Sequence, residues 1–187
     1  MKKRVLFIHG AGQGAYDEDR RLAASLQRAL GAAYDVQCPQ MPDEENAPYQ
    51  AWKAEIETRL SALKGGVILV GHSVGASVLL KWLSQRRSAY PIAGLFLIAA
   101  PYWGGDAGWR YDGYEELELP RDMSARLSGT WPIVFYHSRD DDVVPFDHLA
   151  LYAATLPRAT TRAFDARRHQ FTNGLADVAE DIKTHGI

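Results

Sequence analysis

The sequence predicts an α/β fold, a doubly wound and mostly parallel sheet of about six strands with helices on both faces. Two observations lead to this prediction. Short apolar runs of strand length alternate with stretches whose apolar residues recur at helical spacing. In addition, the 187 residues show no internal repeat, low-complexity tract or linker, which favours one domain with a substantial core.

The alternation defines each element in order. The predicted strands are the mostly apolar runs over residues 4–8, 36–38, 67–70, 94–99 and 133–136, and the weakly alternating stretch over residues 160–164. The predicted helices are the stretches with helical periodicity over residues 17–30, 48–63, 74–83, 149–156 and 171–182. Asp17 is the expected N-cap of the first helix, and Gly31 is its expected stop.

Composition and charge exclude several classes of function. Lys and Arg number 21 against 23 for Asp and Glu, a net charge of −2 that gives no basic footprint for nucleic acid. No apolar run approaches the length of a membrane span. The single cysteine, Cys38, excludes an internal disulfide and is expected to be a small core residue. We therefore expect a cytoplasmic protein that binds neither nucleic acid nor membrane.

Residues 71–75, Gly-His-Ser-Val-Gly, fit the pattern G-x-S-x-G between a predicted strand and a predicted helix. A serine on such a turn has a strained backbone, and its hydroxyl projects above the sheet. Both flanking positions are glycine because a side chain there would collide with neighbouring backbone. The Val74 N–H, at the start of the helix, is placed to donate to a developing oxyanion. Ser73 is therefore the candidate nucleophile.

A serine nucleophile needs a base that accepts its proton. Where the serine lies in a G-x-S-x-G turn, the catalytic residues occur along the chain in the order serine, acid, histidine. Among six histidines, only His169 follows the last predicted strand, in a loop over the carboxyl ends of the strands. It is the predicted base. The acid is expected after the penultimate strand, where Asp140, Asp141 and Asp142 are consecutive. Only one of the three can orient the histidine.

Residues 101–128 interrupt the alternation of strands and helices because they show no period. This glycine-rich segment contains five large aromatic residues, Tyr102, Trp103, Trp109, Tyr111 and Tyr114. A long irregular segment in a compact domain is usually functional or disordered, and its aromatic content argues against disorder. We predict a lid over the carboxyl end of the sheet, with Tyr102, Trp103 and Trp109 as walls of a small substrate pocket.

Several short patterns along the chain occur together in one known family. They are His9-Gly10, Met41-Pro42 with Trp52 downstream, the turn at residues 71–75, Asp-Asp-Val-Val-Pro at residues 141–145, and His169. With these residues, which span nearly the whole chain, the sequence resembles the α/β-hydrolases, in particular the small serine hydrolases of the YdeN and retinoblastoma-binding-protein-9 type. It departs from many relatives in lacking a glycine before His169 and in having Gln170 between His169 and Phe171.

The resemblance implies the α/β-hydrolase fold and a role for each site residue. The acid of the triad is the first residue of D-x-x-V-P, which is Asp141 here, and the oxyanion donors are the N–H groups of Ala11 and Val74. Such an enzyme cleaves a small-molecule acyl substrate through an acyl-enzyme on Ser73. A carboxylic ester is the expected substrate, and a thioester or an amide is the alternative. It needs no cofactor, and the metal-binding spacing H-E-x-x-H is absent from the sequence.

Two other functions stay open at this level. Residues 10–15 fit G-x-G-x-x-G/A between a strand and a helix, which is the dinucleotide-binding fingerprint. That function expects an acid at the end of the second strand, about 20 residues on, but Asp35 precedes the strand and only Gln40 follows it closely. It also leaves the triad candidates unexplained. The other alternative is a catalytically silent interaction protein on a hydrolase fold, against which the intact triad argues.

Overall fold

The sheet of this protein contains six strands. The computed structural model describes residues 2–63, 65–85, 90–104, 109, 113–127 and 129–186, so the predicted lid residue Tyr111 and the predicted lid end Ser128 lie outside the described residues. The strands are β1 (Lys3–Ile8), β2 (Tyr34–Gln37), β3 (Val67–His72), β4 (Ile92–Ile98), β5 (Ile133–Ser138) and β6 (Thr160–Phe164). Each overlaps a predicted strand.

The strand order is β2-β1-β3-β4-β5-β6, and all neighbouring pairs are parallel. All residues of β3 and β5 are buried, as expected for strands covered on both faces, whereas β6 at the edge is largely exposed. This confirms the predicted doubly wound parallel sheet. The winding reverses between β1 and β3, and in such sheets ligands bind beyond the carboxyl ends of the strands at that reversal.

Helices cover both faces of the sheet. They are α1 (Ala15–Leu30), α2 (Tyr49–Ser61), α3 (Val74–Gln85), α4 (Met123–Arg126), α5 (His148–Thr155) and α6 (Ala176–Thr184). Buried side chains of α1 and α6 form one apolar cluster with one face of the sheet, and those of α2, α3 and α5 form a second cluster with the other face. No helix in the described part of the chain is long and apolar enough to cross a membrane.

The first helix begins differently from the prediction. Asp17 lies inside the first turn of α1 instead of capping it, and Gly14 precedes the helix in a left-handed conformation. The cap comes from another loop, since the Glu44 carboxylate accepts hydrogen bonds from the N–H groups of Gly14 (3.0 Å) and Tyr16 (2.9 Å). The sequence gives no local signal for a cap so far along the chain.

The last helix starts later than predicted, at Ala176 instead of residue 171. Phe171 and Gly174 both have left-handed backbone angles, with φ of 47° and 80°, which a right-handed helix does not allow. Phe171 is nonetheless buried in the core, so its side chain produces the apolar periodicity without helical backbone.

The irregular segment after β4 packs partly into the body of the protein. Its described portion includes a single 3₁₀ turn, Glu115–Leu117, and the short helix α4. Leu117, Met123 and Leu127 are buried in the same apolar cluster as α3. The described part of the second half is therefore part of the core, and residues 101–104 come shortly after the end of β4 along the chain.

Candidate active site

Ser73 occupies the turn between β3 and α3 with a left-handed φ of 50°. The strain that such a conformation imposes on a residue other than glycine was expected from the motif. A Cβ at Gly71 would lie 2.6 Å from the Cα of Ala76, and one at Gly75 would lie 2.3 Å from the carbonyl oxygen of His9. Both contacts are with backbone that cannot give way, so this turn requires glycine on both sides of the serine, as predicted.

His169 and Asp141 form an oriented pair next to this turn. The Nδ1–H of His169 donates to the Asp141 carboxylate, with distances of 2.9 Å to Oδ2 and 3.1 Å to Oδ1. The Asp141 side chain is fully buried and also accepts from the N–H groups of Val143 (2.9 Å) and Val144 (2.8 Å). Burial raises the pKa of Asp141, but hydrogen bonds from His137 and His169 outweigh burial, so its pKa lies below the usual range.

This pairing fixes the tautomer of His169. With Nδ1 bound to Asp141, Nε2 remains as the atom that can accept a proton from Ser73, and both residues line the same cavity. The described contacts contain no direct Ser73–His169 hydrogen bond, and such bonds often form only when substrate is bound. Burial lowers the pKa of His169, and the hydrogen bond that His169 donates to Asp141 only partly offsets this lowering. A neighbouring carboxylate by itself would raise the pKa of a histidine, so burial reverses the direction that the pairing with Asp141 alone would produce.

The two aspartates on either side of Asp141 differ from it in position. Asp140 is exposed, and its carboxylate accepts from the backbone N–H groups of Arg167 (3.1 Å) and Arg168 (2.8 Å). These hydrogen bonds hold the loop that carries His169 on its solvent-exposed side. Asp142 is exposed as well. Of the three consecutive aspartates, the structure brings Asp141 to the histidine.

The loop after β1 is held on both sides of Ala11. The N–H of Gly10 donates to the Asp19 carboxylate at 2.7 Å, and the N–H of Gly12 donates to the carbonyl of Glu44 at 2.8 Å. Within the described residues, the N–H of Ala11 itself has no hydrogen-bond partner. The loop is therefore rigid around an available donor.

A cavity of about 270 Å³ lies above the turn and brings most of the predicted site residues together. Its base, which we call the polar floor, consists of Ala11, Ser73, Val74 and His169. One side, which we call the aromatic wall, consists of Trp103, Trp109 and Tyr114. Both predicted oxyanion donors, the N–H groups of Ala11 and Val74, thus belong to residues that face the same space as the serine.

The aromatic wall is held by contacts between rings. Trp103 stacks on Tyr114 with ring centroids 4.8 Å apart and lies 5.0 Å from Trp109. Trp109 in turn meets His148 edge-on at 4.7 Å. Each such pair stabilises the folded protein by about 0.5–1.5 kcal/mol beyond the contribution from burying the apolar surface of the rings. The three rings form one apolar surface beside Ser73.

Tyr102 takes a different position from the other two predicted wall residues. Its hydroxyl contacts the Thr155 hydroxyl at 2.8 Å, and its ring packs edge-on against Tyr152 at 4.8 Å, so it lies against α5. It is absent from the residues that line the cavity. Tyr114 takes that place on the wall. The sequence does not predict this, because the position of Tyr114 depends on how the irregular segment folds back.

Cys38 is not among the residues that line this cavity. Burial raises the pKa of the Cys38 thiol to about 12, so the thiolate is scarce at neutral pH. Over the described ranges of the chain, no group of three or more His, Cys, Asp or Glu side chains is arranged to hold a metal ion.

Comparison with known proteins gives one family and many similar structures. Residues 5–184 match the family model of the alpha/beta hydrolase family. No curated protein sequence matches the chain.

Three solved structures illustrate the similarity of fold. The ydeN gene product from B. subtilis is 18% identical with a TM-score of 0.66, over 99% of both chains. A structure from work on LipS and LipT, two metagenome-derived lipolytic enzymes, is 16% identical with a TM-score of 0.72, over 98% of this chain and 95% of that one. Est1E from Butyrivibrio proteoclasticus is 15% identical with a TM-score of 0.72, over 98% and 86%. At sequence identities this low, the structural similarity shows a shared fold only.

Proposed function

The chain belongs to the alpha/beta hydrolase family, and we propose that it is a serine hydrolase of small acyl substrates, with carboxylic esters first among them. One observation carries this proposal. A serine on a strained turn shares a cavity with a histidine whose Nδ1–H is bound to a buried carboxylate. Acyl transfer by a serine requires a nucleophile, a base and a group that orients the base, and Ser73, His169 and Asp141 provide these three.

Each residue of the proposed triad has a defined role. The Ser73 hydroxyl attacks the carbonyl carbon while the Nε2 of His169 takes its proton, and Asp141 stabilises the imidazolium that forms. The leaving alkoxide departs with that proton, and the acyl group remains on the serine oxygen. Water then attacks the acyl-enzyme with His169 again as base, which releases the acid and restores the serine.

The negative charge of the tetrahedral intermediate requires donors that are in place beforehand. The N–H of Val74 begins α3, and the N–H of Ala11 projects from a loop fixed on both sides. Donors that are already oriented do not have to reorganise during the reaction, and the loss of one typically costs about 10²–10³ in kcat. We assign the oxyanion to these two groups.

The shape of the cavity supports a small acyl group against the aromatic wall. The volume of about 270 Å³ includes the space that the leaving group must enter. Trp103 and Trp109 exclude water from this side and offer apolar contact, so we assign them to acyl binding. The lipolytic name of one protein with the same fold agrees with an ester substrate. Of the segment predicted as a lid, residues 101–128, the described residues that line the cavity are Pro101, Trp103, Trp109 and Tyr114, and in this proposal these residues act as the lid.

The glycine-rich loop after β1 argues against dinucleotide binding. A bound pyrophosphate would sit at the N-terminus of α1, but the Glu44 carboxylate already accepts the N–H groups of Gly14 and Tyr16 there. A phosphate would meet this negative charge directly. Asp35, the acid nearest the expected spacing, lies within β2 and pairs with Arg4 on β1. We assign the loop to the oxyanion instead.

Labelling by a fluorophosphonate separates this proposal from a silent interaction protein. We expect the wild-type protein to be labelled on Ser73 and Ser73→Ala to remain unlabelled. In the same preparations, Ser73→Ala should lose about four to six orders of magnitude in kcat on p-nitrophenyl acetate, with an unchanged circular dichroism spectrum. Equal turnover by the two proteins would exclude the serine mechanism.

A further inference from the structure

His72, the residue before the proposed nucleophile, has both ring nitrogens placed against acceptors. Its Nδ1 lies 2.8 Å from Oδ2 of Asp19, and its Nε2 lies 3.0 Å from the backbone carbonyl oxygen of His169. Neither a carboxylate nor a carbonyl oxygen can donate a hydrogen bond. His72 and Asp19 are 2% and 1% exposed, so water does not provide alternative partners for this pair.

A neutral imidazole cannot satisfy this arrangement. It carries one N–H, so one nitrogen lone pair would point at an oxygen lone pair at hydrogen-bond distance. Rotation of the ring by 180° would place carbons against both oxygens and lose both hydrogen bonds. We propose that His72 is a permanent imidazolium with Asp19 as its counter-ion, and that this buried ion pair is a positioning device for the active site.

The pair connects three separate segments of the chain. Asp19, on α1, accepts from the N–H of Gly10 in the oxyanion loop and from the side chain of Gln170 in the loop of the base. His72, at the end of β3, donates to the carbonyl of His169. The oxyanion loop, the nucleophile turn and the loop of the base are therefore tied together behind Ser73.

The surroundings of His72 agree with a charged ring. The titratable groups that face it are Asp19 from α1, Asp141 from the loop after β5, His169 from the loop after β6 and His9 from the end of β1. Burial lowers the pKa of His72, but the charge and hydrogen bond of Asp19 outweigh burial, so its pKa lies above the usual range. The same interaction outweighs the burial of Asp19, whose pKa is lowered.

A charged His72 also has a consequence for the base. The rings of His72 and His169 are 5.0 Å apart, and two positive charges at this distance repel each other. The charge on His72 therefore lowers the pKa of His169 and keeps it in the neutral form that can accept a proton. Burial of His169 has the larger effect in the same direction, and the negative charge of Asp19 offsets part of the effect of His72.

The ionisation can be measured directly on the wild-type protein. In ¹⁵N-histidine-labelled protein, long-range ¹H–¹⁵N spectra report the protonation of each ring nitrogen, and the loss of signals in His72→Gln identifies those of His72. We expect both His72 nitrogens to be protonated at neutral pH and to stay protonated as the pH rises past the ordinary histidine pKa of about 6.5. An unprotonated nitrogen on His72 at neutral pH would overturn the proposal.

The positioning role needs a second measurement, on Asp19→Asn. The amide keeps the shape of the carboxylate but removes the counter-ion, and we expect kcat to fall about 10²-fold while KM changes less than about threefold. Asp17→Asn is the matched control, because Asp17 lies on the same helix with its side chain 68% exposed in a pair with Arg20. An Asp19→Asn enzyme with wild-type kcat would overturn the role of the pair.

The pH profile distinguishes charge from simple packing. His72→Gln keeps an N–H that can reach the carbonyl of His169 but carries no charge, so the acid limb of kcat/KM should move to higher pH. An unshifted limb would mean that His72 only fills space. The positioning role depends on the proposed function, whereas the ring-nitrogen spectra do not. If the wild-type protein fails to react with a fluorophosphonate, the hydrolase proposal fails and the spectra still decide the ionisation of His72.

Discussion

The polar floor and the aromatic wall meet in one cavity but are held by different forces. On the floor, Ser73 is fixed by its turn and the base by a carboxylate at 2.9 Å, and Ala11 lies between two anchored N–H groups. On the wall, Trp103 and Trp109 are held mainly by rings at centroid distances near 5.0 Å. Directional bonds hold atoms to a fraction of an ångström, whereas ring contacts allow sliding at small cost.

This difference indicates which property each region controls. Acyl transfer needs proton donors and acceptors in fixed places, and a displacement of about 1 Å can cost about 10²-fold in rate. Choice of substrate needs an apolar surface of the right size, which several packings of the same rings provide. We therefore expect substitutions on the floor to reduce the rate for all substrates, and substitutions on the wall to change the order of preference among substrates.

The largest effect in this comparison is expected at Asp141. Asp141→Asn removes the acceptor that fixes the His169 tautomer, so kcat should fall by about 10⁴-fold for every p-nitrophenyl ester tested. Asp140→Asn should lose at most about tenfold, because the amide keeps one oxygen for the backbone N–H groups that Asp140 now holds.

The exposed Asp142→Asn is the control and should retain wild-type kcat. If Asp140→Asn proves more damaging than Asp141→Asn, the orienting acid has been assigned to the wrong position.

The floor should also determine the pH dependence. His169 must be neutral to act as base, and its lowered pKa means that it becomes neutral at a lower pH than an ordinary histidine. We expect kcat/KM to rise with pH through one ionisation whose midpoint lies below about 6.5, and then to stay level. A midpoint above about 7, with chemistry shown to be rate-limiting, would contradict this.

The sequence predicts the floor far better than the wall, and the reason is physical. Gly71 and Gly75 are required because backbone approaches within 2.6 Å and 2.3 Å of where a side chain would begin, so the motif itself records the geometry. The residues of the wall are set by how an irregular segment folds back, for which no local period exists. The sequence predicted Tyr102 as part of the wall, but the structure places Tyr114 in the cavity and Tyr102 against α5.

Hydrogen bonds between residues far apart in the sequence were the other feature that could not be predicted. Glu44 caps α1 from 28 residues away, and Asp19 reaches Gln170 across 151 residues. Neither pairing follows a spacing rule, because the topology of the sheet brings the segments together. The order of strands and helices was predictable since each element has its own periodicity, whereas these contacts exist only in the assembled fold.

A moderate effect is expected on the wall, at Trp109. Trp109→Ala should enlarge the cavity, so that longer acyl chains gain up to about 0.8 kcal/mol, or about fourfold in kcat/KM, for each added methylene that becomes buried. Trp109 is more suitable than Trp103, which is only 7% exposed within the apolar core and whose loss would cost about 3–5 kcal/mol of stability. The measurement is kcat/KM for acetyl, butyryl, hexanoyl and octanoyl p-nitrophenyl esters.

Tyr102→Phe is the matched control for this experiment. It removes the hydroxyl that contacts Thr155 but changes nothing that lines the cavity, so its chain-length profile should equal that of wild type. Identical profiles for Trp109→Ala and wild type would show that the wall only packs the lid against the body.

The smallest effect concerns Arg168, the residue before His169. Its φ of 54° is left-handed, a conformation that costs a residue with a side chain about 1–2 kcal/mol. The N–H of Arg168 donates to Asp140 at 2.8 Å, and glycine would keep that bond. Glycine also adds about 0.4–1 kcal/mol of entropy to the unfolded chain, so the net gain for Arg168→Gly should be up to about 1 kcal/mol.

Calorimetry of Arg168→Gly and Arg167→Gly tests whether the strain at this position is real. A gain of this size should raise the Tm of Arg168→Gly by up to about 4 °C, with kcat within about twofold of wild type because the loop keeps its anchors. Arg167 is the neighbour for comparison. Its side chain binds Asp177 at 2.8 Å and lies over the ring of Phe164, so Arg167→Gly should lower Tm. If both variants lose stability, the left-handed conformation of Arg168 does not lower the free energy of unfolding. Hydrogen bonds then hold the loop that carries His169 without opposing strain.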